Sequence, residues 1–217
     1  MGGLKERWEE VQSRVQAACK SVGRHPAEVT VIAVTKTVAL DQILEAYGIG
    51  LRHFGESRLQ EAVPKVQSLP DDVTWHFVGK LQSNKARKVA ELFDVVHTLE
   101  SENQLREMDK TDLQVQGLVE VNLGREPQKA GVFAEDLDTM VQRLSCSQHV
   151  RYRGLMTIGP LEPDPEQSRK VFRSLAQLGK RAGAEWLSMG MSADYDVAIQ
   201  EGATHVRVGS ALFGERK

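Results

Sequence analysis

The sequence predicts an α/β protein folded as a closed (β/α)8 TIM barrel. Three observations carry that prediction. Short apolar runs rich in β-branched residues alternate with longer segments of helical periodicity, eight such runs lie between Val29 and Gly209, and the chain has 217 residues. Strands alternating with helices argue for βαβ units and a parallel sheet, and eight repeats argue for closure over an open doubly wound sheet, the competing architecture. Barrels of this type start at roughly 200 residues. Residues 1–217 therefore read as one domain, undivided by any linker, low-complexity tract or charge block.

The first element is an amphipathic helix over Leu4–Val22. Leu4, Trp8, Val11 and Val15 fall at helical spacing, and Gly23 follows as a stop. The predicted strands are "VTVIAVTK" (29–36), "RHFGE" (52–56), "WHFVG" (75–79), "VVHTL" (95–99), "GLVEVNL" (117–123), "YRGLMTIG" (152–159), "EWLSMG" (185–190) and "THVRVG" (204–209). Helix candidates lie between them. "ALDQILEAYG" (39–48) puts Leu40, Ile43, Leu44 and Tyr47 on one face, and "LQSNKARKVAELF" (81–93) has Leu81, Lys85, Lys88 and Leu92 in one row. "EDLDTMVQRL" (135–144), "EQSRKVFRSLAQLGKRAG" (166–183) and "ADYDVAIQEG" (193–202) continue the pattern.

Composition excludes several classes of function. Hydrophobic residues make up 41% and charged residues 27%, with a net charge of -2, which lacks the basic footprint of a nucleic-acid binder. Cys19 and Cys146 stand in no paired motif, which argues against a disulfide framework or a zinc site and for a reducing compartment. No apolar run approaches the roughly 18 residues of a membrane span. The start, "MGGLKERWEEVQSRV", is charged from Lys5 onward and lacks the apolar core of a signal peptide. A cytoplasmic protein with neither nucleic acid nor membrane as partner is expected.

In such a barrel the active site lies at the C-terminal ends of the strands, and the loops after strands 7 and 8 often hold a phosphate. Strand 1 ends in Lys36, on the same face as Thr30, Ile32 and Val34; if that face points inward, the lysine emerges at the mouth. After strand 7 comes "SMGMSAD", with Ser192 read as a helix N-cap; after strand 8, Gly209 permits close approach to the backbone and Ser210 opens a short helix. Closure sets strand 8 beside strand 1. A lysine beside a phosphate cup is the arrangement of a pyridoxal phosphate Schiff base. Arg207, two residues before Gly209, is then placed to reach the cofactor ring. Blander readings stay open residue by residue: Lys36 as a solvated strand-end charge, Ser192 and Ser210 as plain caps, and Arg207 paired with a core carboxylate such as Glu120.

Other groups carry less. His53, His76 and His97 on strands 2, 3 and 4 invite a metal reading, but no carboxylate joins them in register and no metal is expected. His76 is placed lining the barrel near the ring. Lys80, Lys85, Arg87 and Lys88 read as a solvated helix face, with an anion or partner surface as the alternative. The loop "LGREPQKAG" (123–131), punctuated by glycine and proline, follows strand 5 at the mouth and is expected to act as a flap over the cofactor.

The segments "VIAVTKT", "HFGES", "WHFVGKLQSNKAR", "VVHTLES", "VEVNLGREPQKAG", "RGLMTIG", "LSMGMSADYDVAI" and "VRVGSALFGER", together with the N-terminal helix, cover essentially the whole chain. Jointly they resemble the pyridoxal phosphate homeostasis proteins of the YggS/PROSC type, whose fold is similar to the N-terminal barrel of alanine racemase. The resemblance implies Lys36 as the Schiff-base lysine carrying pyridoxal 5'-phosphate. It implies a phosphate bound by Ser192, Gly209 and Ser210, and Arg207 facing the pyridine nitrogen. A permanently protonated guanidinium there leaves that nitrogen unprotonated and weakens the ring as an electron sink. Two departures stand out: Ser57 in "FGES" replaces a common asparagine, and Ser210 replaces a frequent threonine.

Two functions then compete. One is a carrier that holds pyridoxal phosphate and serves its intracellular homeostasis without robust catalysis, with pyridoxal phosphate-dependent apoenzymes as candidate recipients. The other is an amino-acid racemase, which needs a second base opposite Lys36. In the resembled racemases that base is a tyrosine of an additional domain, whereas this sequence stops at Lys217, eight residues after Gly209. Of Tyr47, Tyr152 and Tyr195, only Tyr195 qualifies as a substitute. No catalytic residue is assigned, a monomer is expected, and a Schiff-base aldolase acting on sugar phosphates is the third reading.

Overall fold

The computed structural model describes residues 3–126, 129–160 and 164–214. Its eight strands are β1 (Thr30–Val34), β2 (His53–Glu56), β3 (Thr74–Phe77), β4 (Val95–Leu99), β5 (Val115–Glu120), β6 (Val150–Met156), β7 (Trp186–Met191) and β8 (His205–Val208). All are parallel and close in sequence order, with β8 returning to β1. The closed barrel bears out the predicted fold class, and each strand overlaps a predicted run.

Helices cover the outside of the barrel: α1 (Leu4–Ser21), α2 (Leu40–Gly48), α3 (Leu59–Val66), α4 (Ser83–Ala90), α5 (Glu102–Met108), α6 (Leu137–Ser145), α7 (Arg169–Arg181), α8 (Tyr195–Gln200) and α9 (Ser210–Phe213). In α1, Leu4, Val11, Val15, Ala18 and Cys19 are buried. These positions form one stripe, which packs on α8 and α9 where β8 meets β1. Two short helices have no counterpart in the predicted set. One is α3, which carries Pro64 in its interior, and the other is α5, capped by Ser101, whose Oγ accepts from the Gln104 amide.

The apolar core has two parts. The larger lies between strands and helices and includes Ala33, Phe54, Phe77, Val96, Val119, Leu155 and Val206. The smaller comprises Val95, Leu118 and Met156, with Trp186 packed against them. These alternate along the strands with members of the larger set, so the smaller cluster fills the barrel interior. The interior also holds polar side chains: His76, His97, Ser188, His205 and Arg207 are buried. His97 on β4 hydrogen-bonds Ser188 on β7, which is possible only through the interior because two strands separate them on one side and four on the other. A Cβ on Gly55 would stand 2.9 Å from Ile32 Cγ2, so the glycine of β2 makes room for the inward isoleucine of β1.

Candidate functional site

Ile32 pairs with Arg207 and Ala33 with Val208, so the end of β1 and the end of β8 lie side by side at the C-terminal mouth. Lys36 comes two residues after β1 ends and is half-buried. The backbone on both sides of it is held. Before it, Thr35 N donates to Gly55 O at 2.9 Å, and Thr35 Oγ1 donates to Glu56 Oε1 at 2.7 Å. Lys65 Nζ, reaching in from α3, donates to Thr35 O at 2.7 Å and to the same Glu56 oxygen at 2.5 Å. After it, Thr37 sits at φ 62, a left-handed conformation that costs a threonine roughly 1–2 kcal/mol. Its N–H donates to Glu61 Oε2 at 3.0 Å, which offsets part of that cost.

This clamp is not legible in the sequence: Thr35 and Glu56 lie in the quoted segments "VIAVTKT" and "HFGES", but nothing along the chain pairs them with Glu61 and Lys65 of α3. Lys65, the other lysine near the end of β1, is ion-paired to a fully buried carboxylate.

Arg207 extends across the barrel. Its Nη1 donates to Ser188 Oγ at 2.7 Å and its Nη2 to Thr157 O at 2.9 Å. It makes no ion pair among the described residues, so the alternative pairing with Glu120 is not formed; Glu120 acts on it only through the electrostatic field. Burial pulls the guanidinium down to about 10, with Glu120 and Asp194 opposing the shift, and it stays charged at neutral pH. Glu120 is itself pushed up to about 7, first by burial and then by Glu100. It lines a cavity of about 220 Å³ at the mouth with Lys80, Thr98 and Asn122.

Ser192 Oγ accepts from Gly209 N at 3.1 Å and from Ala211 N at 3.2 Å. This corrects its predicted role. The N-cap position of α8 belongs to Asp194, whose carboxylate instead accepts from Met191 N and Ser168 Oγ. Ser192 ties the loop after β7 to the loop after β8. Two backbone N–H groups thus converge on one oxygen, which is the geometry an anion requires. Ser210 begins α9 as predicted and is exposed. Ser192, Arg207, Gly209 and Ser210 thus gather at the β7–β8 corner, with Lys36 two residues past the end of the adjoining β1. Ala211 is an addition that the sequence did not single out.

The tyrosines lie elsewhere. Tyr195 is fully buried, with the Arg14 guanidinium of α1 4.5 Å from its ring centroid, and burial pushes its phenol up to about 12. It faces the outer helix layer. Tyr47 hydrogen-bonds Asp72, and Tyr152 lies in the first half of β6. Among the described residues no three His, Cys, Asp or Glu side chains are placed to hold a metal ion. No helix among them is long and apolar enough to cross a membrane.

The described part of the predicted flap folds back on β5: Asn122 Nδ2 donates to Glu126 O and Lys129 O, and Gly131 N donates to Glu100 Oε2. Residues 127 and 128 of that loop lie outside the described residues.

A family model described as alanine racemase, N-terminal domain matches residues 9–217. The chain is 40% identical over 223 residues to a pyridoxal phosphate homeostasis protein of Aquifex aeolicus, covering 98% of both chains. PipY of Synechococcus elongatus, solved with PLP bound, superposes with a TM-score of 0.83 at 37% identity, covering 98% of this chain and 100% of that one. Alanine racemase from Corynebacterium glutamicum shares the fold, with a TM-score of 0.67 at 13% identity over 96% of this chain and 62% of that one. Match, coverage and barrel agree, and the chain belongs to the pyridoxal phosphate homeostasis protein family, built on the alanine racemase N-terminal barrel.

Proposed function

We propose that this protein binds pyridoxal 5'-phosphate as a Schiff base on Lys36 and serves homeostasis of that cofactor in the cytoplasm, holding it without robust turnover. The observation that carries the proposal is the β7–β8–β1 corner. There, two N–H groups converge on Ser192 Oγ, a buried guanidinium stands without a carboxylate partner among the described residues, and a lysine follows the neighbouring strand by two residues. These residues fit a phosphate-bearing aldehyde. Ser192, Gly209 and Ser210, with Ala211 N, take the phosphate; Arg207 faces the ring; Lys36 supplies the amine. When bound, the cofactor supplies an electrophilic aldehyde and a conjugated ring able to delocalise negative charge.

The chain's own residues restrain that chemistry. The charged Arg207 offers donors and no acceptor to the ring nitrogen, so that nitrogen gains no proton from it. None of the three tyrosines is placed at the mouth as a second base opposite Lys36. PLP-dependent apoenzymes are the proposed recipients and the monomer the proposed working state. The presence of PLP in PipY, a relative 37% identical, supports the cofactor assignment.

The decisive experiment is the absorbance spectrum of the purified protein incubated with pyridoxal 5'-phosphate. We expect a Schiff-base band, trapped by borohydride as a mass adduct on Lys36 and absent in Lys36→Ala. A band of equal intensity in that variant would refute the lysine assignment. Racemisation of alanine or serine at ordinary enzyme rates would refute the non-catalytic reading.

A further inference from the structure

A continuous hydrogen-bonded chain crosses the barrel interior beneath the site. His53 Nδ1 lies 3.1 Å from His76 Nε2, His76 Nδ1 lies 2.9 Å from His97 Nε2, and His97 Nδ1 lies 2.9 Å from Ser188 Oγ. Ser188 Oγ in turn receives Arg207 Nη1 at 2.7 Å. The chain thus joins β2, β3, β4, β7 and β8. At its far end His53 is half-buried and lines a cavity of about 570 Å³ with Asp94, Trp186 and His205, at the end of the barrel opposite Lys36.

Donor and acceptor roles along the chain are set by its one unambiguous member. A guanidinium donates only. Ser188 Oγ therefore accepts from Arg207, and its single hydroxyl proton remains to be placed. Its other neighbour within hydrogen-bond reach is His97 Nδ1. If that nitrogen were protonated, the serine would accept twice and its own proton would be buried without a partner. Desolvating that group disfavours the arrangement by roughly tenfold or more. So Ser188 donates to His97 Nδ1, His97 carries its proton on Nε2 and donates to His76 Nδ1, and His76 likewise donates from Nε2 to His53 Nδ1. Each ring takes the Nε2–H form, and every inter-residue contact has one donor and one acceptor.

We propose that Ser188 and His97 are positioning residues for Arg207, and that the His53–His76–His97–Ser188 chain locks the guanidinium in place under the cofactor ring. Ser188 Oγ and Thr157 O take one N–H from each terminal nitrogen of the fork, fixing its plane. A serine free to rotate would leave that plane undetermined; a serine whose proton is committed to His97 does not. Neutral imidazoles suit the role, because a charged ring here would face Arg207 in a buried interior. Burial holds both His76 and His97 well below the ordinary imidazole range. The link to the cofactor rests on Arg207 facing the ring, whereas the tautomers do not.

The test is long-range ¹H–¹⁵N NMR of the histidine rings in the full chain, first without added cofactor. We expect His53, His76 and His97 in the Nε2–H form at neutral pH, at about ten to one or more. In Ser188→Ala the His97 preference should fall toward parity, and it should persist in His25→Gln, an exposed control. With ¹⁵N-ring-labelled pyridoxal 5'-phosphate added, the ring-nitrogen resonance should move in both Ser188→Ala and His97→Gln and stay fixed in the control. An Nδ1–H form of wild-type His97 overturns the proposal. So does a folded Ser188→Ala protein in which neither His97 nor the ring nitrogen changes. Should Ser188→Ala not fold, the wild-type tautomers and His97→Gln decide. A protein that shows the tautomers but takes up no cofactor would count against the functional reading alone.

Discussion

Lowering the pH should destabilise this protein before its surface carboxylates titrate. Burial holds His76 and His97 well below the ordinary imidazole value of 6.5 and His205 at about 3. These rings are neutral in the fold and bind protons readily once unfolded. The stability they confer is fully present above pH 6.5 and is lost as pH falls toward their folded values. Glu120 opposes them. Its folded value of about 7 exceeds its ordinary 4.5, so between those limits it keeps a proton in the fold and releases it on unfolding. At pH 5.5 three imidazoles each gain nearly one proton on unfolding and one carboxyl loses nearly one. The net uptake of about two protons corresponds to roughly 2–3 kcal/mol of stability per pH unit. From pH 6.5 to 5 that approaches 4 kcal/mol, a large share of a typical 5–15 kcal/mol. The more exposed His53 adds to the same slope. Urea melts at pH 7.5, 6.5, 5.5 and 5.0, without added cofactor, measure it directly; stopping at pH 5 keeps the surface carboxylates out of the window. A change below about 1 kcal/mol between pH 6.5 and 5, or His76 and His97 titrating near 6.5, would refute the reasoning.

Two further predictions concern buried polar groups. Lys65→Ala leaves the Glu56 carboxylate buried and uncompensated, which should cost roughly 3–5 kcal/mol in urea melts and loosen the approach to Lys36; the paired replacement Glu56→Leu with Lys65→Met should recover most of that loss. Tyr195→Phe removes a buried hydroxyl that has no hydrogen-bond partner among the described residues, while keeping the ring under Arg14. Stability should hold or rise by about 1 kcal/mol, and the Schiff-base spectrum should not change. A loss of either would return Tyr195 to consideration as a functional residue.

Much of the barrel is legible in the sequence because its cause is local. Alternation along "VTVIAVTK" and its counterparts marks the strands, and helical spacing in segments such as "ALDQILEAYG" marks the layer outside. Closure then comes from the number of repeats, and with it the nearness of Lys36 to Arg207 and Gly209. Where local signals are weak, helices are not legible: α3 carries an internal proline and α5 has seven residues. Ser192 resembles a helix cap because a serine before a helix ordinarily is one. Its partners proved to be amide groups 17 and 19 residues further on, on the neighbouring strand's loop.

The sequence by itself determined the strand count, the lysine at the end of the first strand and the small residues of the β7–β8 corner, all set by short-range periodicity and residue type. Only the tertiary structure decided which charges are paired and which are left facing the site. Lys65 goes to Glu56, nine residues away, and Arg207 goes to a serine and a carbonyl in place of a carboxylate. It also decided that three histidines scattered over β2, β3 and β4 form one chain ending at Ser188, 91 residues beyond His97. These side-chain hydrogen bonds cross the barrel interior, and no pattern along the chain encodes which side chains meet there.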